Sequence, residues 1–158
     1  MSIASESAAL LRRDLTTLIQ QIEAFATDEM LWKTVPGVTN AAGNLILHIE
    51  GNLREYVGRQ LGHIAFTRDR SSEFAAASFS RADLTRRIAD LIQTIGPVIE
   101  GLRSDQMEAI YPQVVLERPV TTAAFLIHLY GHLNWHLGQI DYLRRTLSGA
   151  GAVPRVAL

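Results

Sequence analysis

At 158 residues the chain is the size of one domain able to bury its own core, and an apolar fraction of 47% excludes a disordered polypeptide. Fifteen Lys and Arg against 16 Asp and Glu leave a net charge of -1, so there is no basic field for a nucleic-acid backbone. Cysteine is absent, which excludes disulfides, thiolate metal sites and a cysteine nucleophile, and any thiol chemistry needs a thiol from outside.

Four stretches carry helical periodicity. The first spans about Ser5 to Ala26, with Leu11, Leu15, Leu18, Ile22 and Phe25 on one face. The second spans about Asn40 to Leu61, with Leu45, Ile49, Leu53, Tyr56 and Val57 on one side and Thr39 or Asn40 as its cap. The third starts at Ser80, whose spacing to Asp83 suits a capping box, and runs through Leu84, Ile88, Leu91 and Ile95 until Pro97 should kink or end it. The fourth runs from about Thr121 to Leu147 and stops at Ser148-Gly149. The segments around Pro36-Gly37, Arg68 to Ser72 and Glu117 to Pro119 read as loops, each long enough to cross the bundle end to end. One all-α domain over residues 1–158, a four-helix bundle, is the economical fold.

Met1 to Glu6 lacks the basic and apolar regions of a signal peptide, and the least polar stretch, Val120 to Gly138, contains three histidines. A cytoplasmic protein with no membrane span is the expectation.

The fourth helix carries the chemistry. His128, His132 and His136 stand at i, i+4 and i+8, so they share one side of it. That side carries Phe125, Leu129, Ile140 and Leu143, whereas Tyr130, Asn134, Asp141, Arg144 and Arg145 are placed on the opposite, solvent face. Inward imidazoles must satisfy two ring nitrogens each, and a pair at i, i+4 can aim one nitrogen apiece at a metal ion. Eight residues of helix rise about 12 Å, so His128 and His136 cannot share one ion with bonds near 2 Å. The pair is His128/His132 or His132/His136, completed by His48, the histidine well inside another predicted helix. His63 follows Gly62 at a helix end and is expected to be solvent-exposed. Ferritin-like and haemerythrin-like centres lack their motifs here, and a mononuclear three-histidine site survives best.

Around such a site Asn52 and Gln139 could orient an imidazole or a bound water. Tyr56, Arg59, Trp32 and Trp135 could line a pocket, although aromatics at helical spacing are more often core. Glu50 and Glu55 form no paired-carboxylate arrangement.

The segment Asn44-Leu45-Ile46-Leu47-His48-Ile49, together with His132-x-x-x-His136-x-Gly138-Gln139, resembles the DinB-like superfamily of bacterial metal-binding bundles. Leu137 stands where that family frequently has arginine. The resemblance implies an up-down-down-up bundle, commonly a homodimer, with His48, His132 and His136 as ligands and His128 one turn away as a lining residue. It implies a site related to bacillithiol- or mycothiol-dependent transferases, and three imidazole ligands suit a divalent ion, zinc or nickel first and iron next. The expected activity is a metal-dependent transfer between a low-molecular-weight thiol and a small electrophile, or a related hydrolysis. The alternative is a non-catalytic metal- or ligand-binding bundle of stress-response type.

Overall fold

The computed structural model describes residues 2–75, 77–154 and 156–157. Its long helices are α1 (Ile3–Glu23), α2 (Ala42–Leu53), α4 (Arg81–Glu100) and α6 (Thr122–Ser148). Two short helices, α3 (Arg70–Glu73) and α5 (Ser104–Glu108), and a 3-10 turn at Glu29–Trp32 lie in segments expected to be loops. In the core Leu11, Leu15, Leu18 and Ile22 of α1 meet Ile46, Ile49 and Leu53 of α2, Leu84, Ile88, Leu91 and Ile95 of α4, and Leu129, Leu133, Leu137 and Ile140 of α6.

Helix ends follow local chemistry. The Ser80 hydroxyl accepts from Asp83 N at 3.1 Å and Asp83 accepts from Ser80 N at 3.3 Å, closing the expected capping box. Thr121 caps α6 through Ala124 N at 3.2 Å, and Gly149 ends it at φ 69°, a left-handed position that glycine fills without strain. Two boundaries differ from expectation. Ala41, not Thr39 or Asn40, precedes α2 and supplies no side-chain cap. The third long helix runs past Pro97 to Glu100, because a proline this near the end forfeits only one backbone bond. Beyond Leu53, α2 continues as a π-helical turn over Arg54–Arg59, in which the Tyr111 hydroxyl donates to the Tyr56 carbonyl at 2.6 Å.

Side-chain pairs fix the helix directions. Arg12 pairs with Glu100 while Arg81 donates to the Phe25 carbonyl, so α1 and α4 are antiparallel. Arg13 reaches Tyr130 and Gln21 reaches Asp141, so α1 and α6 are parallel. Glu50 meets Arg87 and Arg54 meets Asp90, which makes α2 and α4 parallel. The order is up, down, down, up, with α1 and α2 on a diagonal, each flanked by α4 and α6. Two consecutive parallel helices need a return strand of bundle length. Residues 60–75 and 77–80 belong to it, and α3 within it packs on the outer side of α2. That cover explains why α2 is buried on almost every side.

Candidate metal centre

His48 projects from α2 toward α6, where His132 and His136 sit one turn apart. His48 Nε2 lies 3.2 Å from His132 Nε2, and His136 Nε2 lies 3.1 Å from the same atom. His132 Nε2 thus neighbours both other Nε2 atoms, and one ring nitrogen from each of the three histidines lies within 4.8 Å of the others. The two outer rings are turned by hydrogen bonds at their far nitrogens: His48 Nδ1–H donates to Glu73 Oε2 at 2.8 Å, and His136 Nδ1–H donates to Gln139 Oε1 at 2.7 Å. With those protons outward, the Nε2 atoms of His48 and His136 are both bare acceptors, and His132 can direct a proton at only one of them. At least one contact is lone pair against lone pair. A cation at the focus removes that conflict: tetrahedral ligands with bonds of about 2.0–2.1 Å stand roughly 3.3 Å apart, close to the separations seen. Among the described residues, His48, His132 and His136 form the group able to hold a metal ion.

Electrostatics prepare the rings for ligation. Desolvation pushes the His132 imidazole down to about 4, helped by the neighbouring His136, His48 and His128. Burial also lowers His48 and His136, opposed by Glu73 and Gln139 respectively. All three are thus neutral, as ligands must be, at neutral pH.

Glu73 escaped the sequence reading. It sits on α3 in the return strand, buried, with Arg68 donating to both its oxygens at 2.7 and 2.9 Å. Asn44 fixes the backbone there by donating to the Glu73 and Ala75 carbonyls. Gly51 makes the approach possible, since a Cβ on it would stand 2.2 Å from Glu73 Oε1. A bare glycine one turn beyond His48 was the available signal.

The structure separates the other candidates. His128 is exposed on the rim of a cleft of about 480 Å³ shared with His48, His132, Asn52, Tyr56, Arg68 and Arg70. In its wall the buried Asn52 Oδ1 accepts no hydrogen bond from the described residues. Gln139 lies on the far side of His136 and lines a different cleft, with Val38 and Tyr142. Trp32 packs over Gly43 and donates to the Phe79 carbonyl, Arg59 pairs with Glu55, and Trp135 faces outward, so none of these lines the histidine cleft. His63 is exposed, as expected. Glu50 and Glu55 are both engaged with arginines.

One expectation is corrected. Tyr130, Asn134, Asp141 and Arg144 do not face solvent. They form the flank of α6 that packs on α1, where Asn134 donates to the buried Asp14 at 2.8 Å and Arg144, 1% exposed, donates to Gln21 at 2.7 Å. The inward stripe of α6 is instead centred on Leu133 and Leu137. His132 and His136 occupy its α2 flank, half-buried.

No protein-family model matches the chain, and no curated protein sequence does. Solved structures do. A conserved protein from Enterococcus faecalis superposes with a TM-score of 0.76 at 15% identity, covering 95% of this chain and 99% of that one. A DinB-like protein from Bacillus cereus superposes with a TM-score of 0.69 at 19% identity, covering 92% and 91%. The fold is DinB-like. In this DinB-like bundle the histidine group lies between α2 and α6, under the return strand. Among the described residues no helix is long and apolar enough to cross a membrane.

Proposed function

We propose that His48, His132 and His136 hold one divalent ion, zinc or nickel before iron, and that the chain is a metal-dependent enzyme joining a low-molecular-weight thiol to a small electrophile. The observation that carries this reading is the gathering of one ring nitrogen from each of three histidines beside an open cleft, with no fourth His, Cys, Asp or Glu closing the group among the described residues. A bound ion would supply a Lewis-acid centre that lowers the pKa of a thiol or water. The chain's own groups do the rest. Arg68 and Arg70 give the cleft a positive wall suited to a carboxylate-bearing cosubstrate, although Arg68 also serves Glu73. His128, on the rim one turn before His132, is placed to take the proton leaving the thiol. The lack of cysteine suits a mechanism whose sulfur arrives with the cosubstrate.

The test is a conjugation screen of metal-loaded protein with bacillithiol or mycothiol against chloro-aromatic and epoxide electrophiles. Metal-dependent thiol consumption is expected, lost in His132→Ala and reduced about 10–100-fold in His128→Gln at full metal occupancy. Rates that are equal in wild type and His132→Ala would remove the enzymatic reading.

A further inference from the structure

Between α5 and α6 the chain makes a narrow excursion over residues 109–122. Its base is closed by Tyr111 N donating to the Val120 carbonyl and Thr122 N donating to the Ala109 carbonyl, both at 2.9 Å. Its tip is closed by Arg118 N donating to the Val115 carbonyl at 3.2 Å, with Val115 and Arg118 paired antiparallel. The two residues at this hairpin tip, Leu116 and Glu117, have φ of 54° and 61°. Positive φ at both central positions is the type I′ turn, which favours Asn-Gly because a Cβ crowds the backbone there. Leucine followed by glutamate fills it under strain. Such strain persists where the surroundings hold it, and the hold is visible. Tyr111 is buried with its hydroxyl on the Tyr56 carbonyl, and Val115 packs on the core. Its consequence is the position of the flanking side chains: Val114 and Leu116, 74% and 48% exposed, border the cleft that contains His48 and His132.

We propose that this hairpin is the apolar lip of the cleft, and that Val114 and Leu116 select ligands carrying a compact alkyl or aryl group. Two aliphatic side chains held in water at a strained tip add nothing to the core, whereas beside a cleft they offer a ligand apolar surface. The return strand supplies the contrasting wall. Arg68 and Arg70 border the same cleft, and Arg70 lies over the Phe74 ring and pairs with no carboxylate among the described residues. A cleft with cations on one side and aliphatic side chains on another fits a short amphipathic acid, its anionic end toward the arginines and its apolar body along the hairpin. Assigning that body to the electrophile rests on the thiol-joining reading above, and makes alkyl and aryl electrophiles better substrates than sugars. The preference itself is a property of the fold and is measurable without turnover.

The test titrates the full chain, with and without Zn²⁺, with straight-chain carboxylates from butyrate to octanoate. Affinity should rise about twofold to fourfold per added methylene in both states, since each methylene buried on the lip leaves water. Val114→Ser with Leu116→Ser should lower octanoate affinity about tenfold and leave butyrate within about twofold, whereas Ile127→Ser, on an exposed face of α6 away from the cleft, should change neither. The strain is read by Leu116→Asn with Glu117→Gly, the pair that a type I′ turn prefers. It should raise the thermal midpoint by about 2–4 °C and yet weaken octanoate about threefold. A purely structural hairpin would gain the stability and keep the affinity. No chain-length dependence in the wild type, a dependence that survives the double serine variant, or a lowered midpoint in the Asn-Gly variant would each overturn the proposal. The enzymatic reading fails separately: chain-length dependence without thiol consumption would remove that reading and keep the lip, and thiol consumption without chain-length dependence would do the reverse.

Discussion

The two flanks of α6 are both polar, both lie beside a neighbouring helix, and behave in opposite ways. On the α1 flank every polar group named above meets a protein partner: Asp14 receives Asn134 and Arg13, Arg13 reaches the Tyr130 hydroxyl, and Gln21 links Asp141 to Arg144. The network is closed and accounts for itself as structure. On the α2 flank the polar atoms point at a common focus, and the outer nitrogens of His48 and His136 are tied back by Glu73 and Gln139. Buried polarity alone therefore says little about function. The difference lies in whether the groups satisfy one another or share an unmet need.

The comparison breaks most easily at Asp14. Asp14→Ala strips a carboxylate from Arg13 and Asn134 inside the bundle and should cost about 3 kcal/mol in urea unfolding, with metal affinity unchanged. A metal affinity that falls together with stability would mean the flanks are not separate. The converse variant is Glu73→Gln. It keeps the shape of the side chain but weakens the charge that orients His48, and should lower metal affinity about 10–100-fold by competition with a chelating indicator. An unchanged affinity would show that His48 is positioned by packing alone.

Acid separates the flanks with a smaller effect. The three imidazoles are lowered in the folded chain, so the unfolded chain takes up protons first, and metal-free stability is complete above about 6.5 and falls as pH drops toward about 4. Solvent reaches the half-buried rings of His132 and His136, which limits the loss to about 1–2 kcal/mol. Asp14 is also lowered: burial pushes it up, but bonds from Arg13, Asn134 and Tyr130 outweigh that. Its contribution is present above 3.8 and lost only below it. Unfolding of metal-free protein across pH 7 to 3 should therefore show two steps, and His132→Ala should remove much of the upper one. A single step below pH 4 would contradict the lowered histidines.

Much of this was legible in the sequence. The apolar periodicity of α1 and α4 places their cores, Ser80-x-x-Asp83 and Ser148-Gly149 mark helix ends, and the histidine spacing leaves two pairs, His128/His132 and His132/His136, of which the second meets His48. The rest depends on contacts between distant segments. Glu73 stands 25 residues from His48 in a segment of loop character, and only the path of the return strand brings the two together. The α1 flank of α6 was misassigned because polar residues on a helix are expected to face water. The counter-signal was on α1, where Asp14 and Gln21 fall within the apolar stripe of Leu11, Leu15, Leu18 and Ile22 and so require polar partners.

The central claim is that the three histidines converge because one ion belongs among them. Calorimetric titration of chelator-stripped protein with Zn²⁺ and Ni²⁺ at pH 7.5 tests it directly, run on wild type and on His48→Ala, His132→Ala, His136→Ala and His63→Ala. The account predicts one ion per chain for wild type and His63→Ala, with affinity reduced at least 100-fold in each of the other three. Stoichiometric, undiminished binding in His48→Ala, or no binding by the wild type, would contradict it.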